Sequence, residues 1–547
     1  MKLIIGGNPI ALQKDARISI QRSSPALNED TGSFSYPFPV PTLPNQQILG
    51  WPGKLQRAGE IADQTFILED SGVQVFSGEV DYDLITKNEI GIILKSGYTV
   101  FRSKISGKKL GELDYGSESW LPLYYTTQQV TSKLAEWDAA NTSGNGKYYV
   151  SPIAINDALS TTSVDDYVNK IDKLTGKLKY DSGGTRQNVN LYMLQFRATF
   201  MLEKIFESAG YTILADELGT SEFSKLVVFS RIINVTYGST RFGIPGLEQT
   251  DILQYSKLMP DVTVLEFVDN IANLLCMMYD IDERKKTVRI LFKKNIFAPG
   301  NVDNLKMVEL AGWQHSEERI SGGFKIGYKS QDSDLDTKSD YIPDRDVNWL
   351  DTPTIDGEVV HVISQDADYI TVTSGDVKEW KQIGRLKEYV SGNGAESVEL
   401  ALKIPVAVAH PDGYPLPKLE LTPLNRSYAF ANINETIASI YHGRKEVNGV
   451  GIPYLSADCW GIADGWSIGL TPYLAPEYLY EKVYKEFLNW KAFKARGFNK
   501  YIELTLPQVL ALRWDKKYNI NGIEVILDKI NFELPHYGTV KIEGFTI

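Results

Sequence analysis

An α+β fold in which β-structure predominates, spread over several domains, is what this 547-residue sequence predicts. Three observations predict it. The length exceeds what one core can organise, since about 150 residues per domain gives three or four units. Short β-branched or alternating runs, separated by Gly, Asn and Ser, occupy both ends of the chain. Apolar residues at helical spacing are confined to the middle and to a segment before residue 495.

The first domain spans residues 1–113. Arg17–Gln21, Gln64–Leu68, Val73–Leu84, Ile90–Leu94 and Thr99–Ile105 read as strands, and antiparallel pairing is their natural topology. Between them lies FSYPFPVPTLPNQQILGWP, where Pro37, Pro39, Pro41, Pro44 and Pro52 lack the amides a central strand needs. This segment is expected as an extended arm or ordered loop. Its aromatic residues Phe34, Tyr36, Phe38 and Trp51 would pin it to its own domain or to a neighbouring subunit.

The middle α+β domain covers residues 114–310. From Leu113 to about Asn190 the composition is polar and loop-like, with NTSGNGK and DSGGTRQN as loop signals. Phe196, Phe200, Leu202, Ile205, Phe206 and Ala209 then form a helical stripe, and Gly210 is placed to end that helix in a left-handed cap. Strands are expected at Tyr211–Leu214 and Lys225–Phe229. The same helix-strand-strand grammar returns at Thr263–Phe292. Thr263 with Glu266 is a capping box, and Val264, Phe267, Val268, Ile271, Leu274, Leu275 and Met278 fall on one stripe. Two strands follow, Tyr279–Asp282 and Thr287–Phe292, around a charged turn. Nothing in the unit is chemically reactive, so it is built to dock.

Residues 311–547 form a second β domain with a peripheral insertion around 421–494. Phe324–Tyr328, Val359–Val362 and Tyr369–Val372 read as strands around the acidic loop QDSDLDTKSDYIPDRD. The insertion is aromatic-rich and carries a helix from Pro476 to about Lys494. The last strands are Tyr501–Leu506, Gly522–Leu527 after an Asn521-Gly522 turn signal, Lys529–Leu534 and Thr539–Phe545.

The formal net charge of -12 argues against a nucleic-acid clamp, which needs a basic surface to displace counterions. An acidic surface along which DNA passes without sticking is compatible with it. Met1-Lys-Leu-Ile-Ile-Gly-Gly is too short a hydrophobic run for a secretory signal, and every apolar run stops before the ~18 residues of a membrane span. Synthesis and folding in the cytoplasm, without membrane insertion, is the expectation. Cys276 and Cys459 are too few for a disulfide framework, and Cys276 falls within the expected helix as a buried, inert thiol.

No catalytic constellation is legible, and no cofactor is expected. His315, His361, His410, His442 and His536 form no metal-ligand pair, and no HExxH, CxxC or GxxxxGK[ST] occurs. His315 beside Glu317 and Glu318 reads as a surface histidine in preference to an acid-base group. SGGFKIG lacks the spacing and flanking helix of a dinucleotide site. Asp332, Asp334, Asp336 and Asp340 are the one metal candidate, for calcium, but a calcium loop needs Gly at its sixth position and Glu at its twelfth. Thr337 and Pro343 stand there, which favours a solvated acidic loop. A glycosidase needs only two carboxylates brought together in space, so that alternative stays open, as does carbohydrate stacking on Trp460, Trp466, Tyr473 and Tyr478.

Three passages resemble the hub or tail-associated structural proteins at the distal end of phage tails: SYPFPVPTLPNQQILGWP with Phe76–Val80, VLEFVDNIANLLCMMYDIDERKKTVRILF, and LTLPQVLALRWDKKYNINGIEVILDKINFELPHYGTVKIEGFTI. The resemblance implies two tube-like β-barrel domains bridged by helix-hairpin units. It implies a homotrimeric ring that links the six-fold tail tube, through distal tail and tube proteins, to a three-fold tip, and through which DNA passes. It implies a virion protein of the tail tip that is not an enzyme. The alternatives are a carbohydrate-active enzyme or a carbohydrate-binding adhesin at the same place.

Overall fold

A computed structural model describes residues 1–27, 32–50, 64–121, 125–143, 146–155, 167–180, 189–236, 252–305, 436–456 and 479–547, with short segments between 308 and 419. In the amino-terminal part the strands are β1 (Lys2–Ile5), β2 (Asn8–Ile10), β3 (Ile18–Ser23), β4 (Ser33–Ser35) and β5 (Phe38–Pro41). The short helix α1 (Thr42–Asn45) precedes β6 (Gln64–Asp70), β7 (Val73–Ile85) and β8 (Glu89–Ser96). The middle contributes α2 (Tyr98–Ile105), α3 (Thr127–Ser143), α4 (Ala198–Ser208), β9 (Thr212–Asp216), α5 (Val264–Leu274), β10 (Met277–Asp282) and β11 (Thr287–Phe292). Near the carboxyl end come β12 (Gly497–Glu503), α6 (Leu506–Ala511), β13 (Lys517–Ile520), β14 (Ile523–Leu534) and β15 (Thr539–Thr546).

The first and last stretches of the chain join in one sheet, in the order β2-β1-β6-β7-β8-β4-β3-β14-β15-β12. The seam is antiparallel pairing of β3 with β14, which sets Ile18 opposite Leu534 and Ile20 opposite Phe532. The two-residue period puts apolar side chains of both stretches on one face. Leu3, Ile20, Phe66, Leu68, Ile92 and Leu94 thereby share a single core with Ile502, Val509, Ile530, Phe532 and Ile542. Each such side chain contributes about 1.5–3 kcal/mol on burial. Most of the expected strands at both ends are present, with Gly522–Leu527 and Lys529–Leu534 merged into the single strand β14 and Tyr501–Leu506 ending at Glu503, and they complete one another across one core.

The Pro-rich segment is strand at residues 34–35 and Phe38–Pro41 and then turns into α1. Pro39 and Pro41 sit in β5, paired to β8, and β4 is only three residues long. Thr99–Ile105, expected as a strand, is helix α2. Gly97, at φ 68, turns the chain out of the sheet, and Phe101 and Ile105 then bury in a second core. That second core includes Phe101, Leu134, Trp137, Phe206, Val268, Ile271, Leu274, Met278 and Tyr279.

The Thr263–Phe292 unit folds as expected. Thr263 accepts the amide of Glu266 at 3.1 Å, and β10 and β11 pair antiparallel from Met277↔Phe292 to Asp282↔Thr287. Its helix is shorter than its stripe. Leu275 and Cys276 form the turn after α5, with Cys276 at φ 49 and buried, and Met278 lies in β10. The upstream copy differs: Phe196 is in a strand, Gln195–Arg197, that precedes α4. Gly210 does cap α4 in the left-handed region, at φ 85. The next strand, β9, runs parallel to β11 and does not form a hairpin of its own. Asp216 caps a short turn of helix, Glu217–Thr220, and the chain leaves; Leu226–Phe229 joins a different sheet beside Ala438–Val447. The polar stretch after Leu113 contains the 17-residue helix α3, which was not expected.

Candidate assembly interface

Two parts of the large sheet are built alike. Thr42-Leu43-Pro44-Asn45 follows β5, and Thr505-Leu506-Pro507-Gln508 follows β12; in both, a tryptophan, Trp51 or Trp514, stands nine positions after the threonine. A hairpin comes next in each. Ser71-Gly72 and Asn521-Gly522 are turn pairs at φ 52 and 82, and 53 and 86. Two successive left-handed residues are what a tight hairpin requires. The strands beyond match residue type for residue type: Val73-Gln74-Val75-Phe76 against Ile523-Glu524-Val525-Ile526, and Val80-Asp81-Tyr82-Asp83-Leu84 against Ile530-Asn531-Phe532-Glu533-Leu534. The register agrees too, with Val80 opposite Leu94 and Tyr82 opposite Ile92, as Ile530 is opposite Ile542 and Phe532 opposite Val540.

The two modules stand head to tail. Every neighbouring pair from β7 through β8, β4 and β3 to β14 is antiparallel, so β7 and β14 point the same way. A head-to-tail pair is the arrangement that propagates around a ring. The far corners of the sheet also meet. The His536 amide donates to an Asp70 carboxylate oxygen at 3.0 Å, and His536 Nε2 lies 2.6 Å from the Leu504 carbonyl oxygen. Asp70, Ser71 and Val73 of the first module's turn there share a groove of about 770 Å³ with Leu504, Thr505, Leu506, Pro507 and Gln508 of the second.

A second junction is ionic. Arg289 of β11 donates to both carboxylate oxygens of Asp515, at 3.2 and 2.6 Å, and reaches Asp280 at 3.3 Å. Arg513 makes a second two-point contact with Asp515, at 2.9 and 2.6 Å. Arg22 of β3 donates to the carbonyls of Val509 and Leu512 and lies 5.4 Å from the Trp514 ring centre. Burial pushes the Asp515 carboxyl up, but hydrogen bonds from Arg513 and Arg289 outweigh it and hold the group at about 2. Asp280 moves the other way, raised by burial against the pull of Arg289 and Arg22. Arg22, Asp280, Arg289, Arg513 and Trp514 line a polar cavity of about 350 Å³ between the sheet and the β10–β11 hairpin. Their arrangement fastens two bodies together; no nucleophile, base and oxyanion donor converge in it.

The calcium candidates Asp332, Asp334, Asp336 and Asp340 lie outside the described residues, as do His361, His410, Cys459, Trp460, Trp466, Tyr473 and Tyr478. His315 belongs to a two-residue strand on β12. His442 is pushed down to about 4 by burial and by Lys445 and Lys225. Among the described residues no three His, Cys, Asp or Glu side chains could together hold a metal ion, and no helix is long and apolar enough to cross a membrane. Sequence reading missed the repeat. Its signal was the shared Thr-Leu-Pro-Asn/Gln with a tryptophan nine positions on, in two of the passages singled out above.

No protein-family model and no curated protein matches the chain. Among solved structures, the 43 kDa tail protein of prophage MuSo2 from Shewanella oneidensis aligns over 100% of this chain and 98% of its own, at 10% identity and a TM-score of 0.32. A likeness that slight does not establish a shared fold.

Proposed function

We propose that this chain is a structural hub protein of a phage or prophage tail tip, and that it assembles as a homotrimeric ring joining the tail tube to the distal tip. The observation that carries the reading is the head-to-tail repeat: two tube-like modules per chain give six in a trimer, which reconciles six-fold tube rings with a three-fold tip. In this reading the modules are the tube-forming parts of segments 1–113 and 311–547, residues 114–310 bridge them, and the partners are the distal tail or tube proteins and the tip proteins.

DNA passes through the ring without specific binding. Ion pairs on and beside the outward side of the sheet support this, with Lys95 paired to Asp81 at 2.5 Å, Lys541 to Glu543 at 2.7 Å and Arg17 to Glu533 at 3.5 Å. Paired cations attract phosphates weakly. The role is structural and not enzymatic, at work in the virion after assembly in the host cytoplasm.

Native mass spectrometry and electron microscopy test it. A trimer with three-fold rings around a central channel is the expected result, and a stable dimer would overturn it. Release of reducing ends from a glycan panel would instead favour the carbohydrate-active alternative, and glycan binding without turnover the adhesin.

A further inference from the structure

The polar cavity at the ionic junction carries more positive charge than its own carboxylates answer. Arg289 and Arg513 share Asp515, and Arg289 also reaches Asp280, so two cations there stand against two carboxylates. Arg284 is matched by Asp282, whose oxygens accept from its Nε at 3.3 Å and its Nη2 at 3.2 Å. Glu283 is taken by Lys286 and by the Tyr211 hydroxyl, which donates to it at 2.6 Å. Two cations that line the cavity are left over, Arg22 and Lys285, and among the described residues neither has a carboxylate within ion-pairing distance.

Arg22 is the sharper case. Its Nη1 and Nη2 donate to the backbone carbonyls of Val509 and Leu512, and those oxygens solvate a guanidinium without carrying a charge to offset it. Burial draws Arg22 below its ordinary value, with Asp280 opposing and the Arg284 charge adding to the loss. A guanidinium cannot respond by giving up its proton. A partly buried cation that has to stay charged favours an anion beside it. Lys285 is exposed, on the hairpin turn that forms another wall of the cavity, and only its backbone amide is engaged, by Asp282.

We propose that the cavity between the sheet and the β10–β11 hairpin binds a small dianionic oxyanion, a phosphate group or a dicarboxylate, held by the Arg22 guanidinium and the Lys285 ammonium. Two unmatched positive charges set the charge of the ligand, and a phosphate group carries about −1.5 to −2 near pH 7. The volume of about 350 Å³ lies at the small end of ligand sites, which run from about 300 to 1,000 Å³. Arg22 keeps its Nε hydrogen and the second hydrogens of its terminal nitrogens to give, and oxyanions accept such donors in pairs. Ser33 and Ser96, each bearing a hydroxyl, line the same cavity. Because Arg22 belongs to β3 and Lys285 to the hairpin turn, the ligand joins the two bodies that Asp515 already fastens, and it stabilises the folded chain by mass action.

Calorimetry and thermal unfolding of the full-length protein test this with inorganic phosphate, with succinate, and with sodium chloride at matched ionic strength. The expected result is one phosphate per chain and a rise in melting temperature that chloride does not reproduce. Succinate binding as tightly supports a site that reads paired negative charge, and succinate failing to bind supports one that reads phosphate. K285Q should weaken phosphate binding about tenfold, the size of one charge-assisted contact, and R22Q at least as much. R22Q also gives up two bonds to backbone carbonyls, so K285Q, which breaks none within the chain, carries the test if R22Q fails to fold. K87Q, in the turn between β7 and β8, removes a cation outside the cavity and should bind as the wild type does. No heat and no thermal shift with millimolar phosphate beyond the chloride control overturns the site, as does phosphate binding that K285Q leaves unchanged.

Discussion

Asp515 organises the ionic junction because two guanidinium groups converge on one carboxylate, each through two hydrogen bonds. Replacing it by asparagine keeps the shape and removes the charge, leaving Arg289 with only Asp280 to answer it. Loss of one partner from a buried pair costs ~3–5 kcal/mol; because the Arg513 side chain is 46% exposed, D515N should cost about 2–3 kcal/mol in denaturant titration. The sign of the pH dependence follows from the depressed carboxyl. Its unfolded value is about 3.9 and its folded value about 2, so the stabilisation is fully present above about pH 4 and disappears as the pH falls toward 2. The gap between wild type and D515N should therefore narrow across that window. A gap that stayed constant from pH 5 to pH 2 would mean that the carboxylate is not what fastens the junction. Asp280 contributes with the opposite sign, since burial disfavours its ionised form and acidification relieves that cost. Little of this was legible in the sequence: Arg513 and Asp515 are visibly close, but Arg289 is 226 residues away from its partner.

Elements with their own local grammar were readable, and those decided by distant neighbours were not. The capped, striped α5 with its hairpin folds on signals contained within thirty residues of sequence. Thr99–Ile105 has β-branched and aromatic residues but becomes α2, because Gly97 redirects the chain and the second core claims Phe101 and Ile105. Here tertiary burial overrides strand propensity. Helix α3 was legible in principle: Val130, Leu134, Trp137 and Ala140 recur at helical spacing and are buried, but a polar surrounding masked them. Gly97 makes a clean test of the α2 account. A Cβ there would meet its nearest neighbour, the Ile281 carbonyl oxygen, at 3.6 Å, an ordinary contact, so crowding is not the obstacle. Its φ of 68 is the obstacle, paired with ψ -132. G97A should cost about 1–3 kcal/mol in thermal or denaturant unfolding through backbone strain alone, and an unchanged melting temperature would show that the chain leaves the sheet by another conformation.

At the scale of the whole molecule, the separation of the first and last β stretches in the chain does not carry over to the fold. Residue patterns at each end specified strands and even turns, yet pairing partners 514 residues apart leave no local trace. Sharing one core has a measurable outcome. Residues 1–113 expressed alone lack β12 to β15 and expose Ile20, Ile92 and Leu94, so the fragment should show no cooperative thermal transition by circular dichroism. A sharp transition would mean that the first module is an independent barrel. The seam between β3 and β14 also sets a clock. At about 5–20 residues per second, β3 leaves the ribosome roughly 25–100 s before β14 exists to meet it. During that interval the edge that β14 will cover is open to the wrong partner. A chain cut short before β14 cannot complete the sheet at all, so no unfinished copy presents the finished surface.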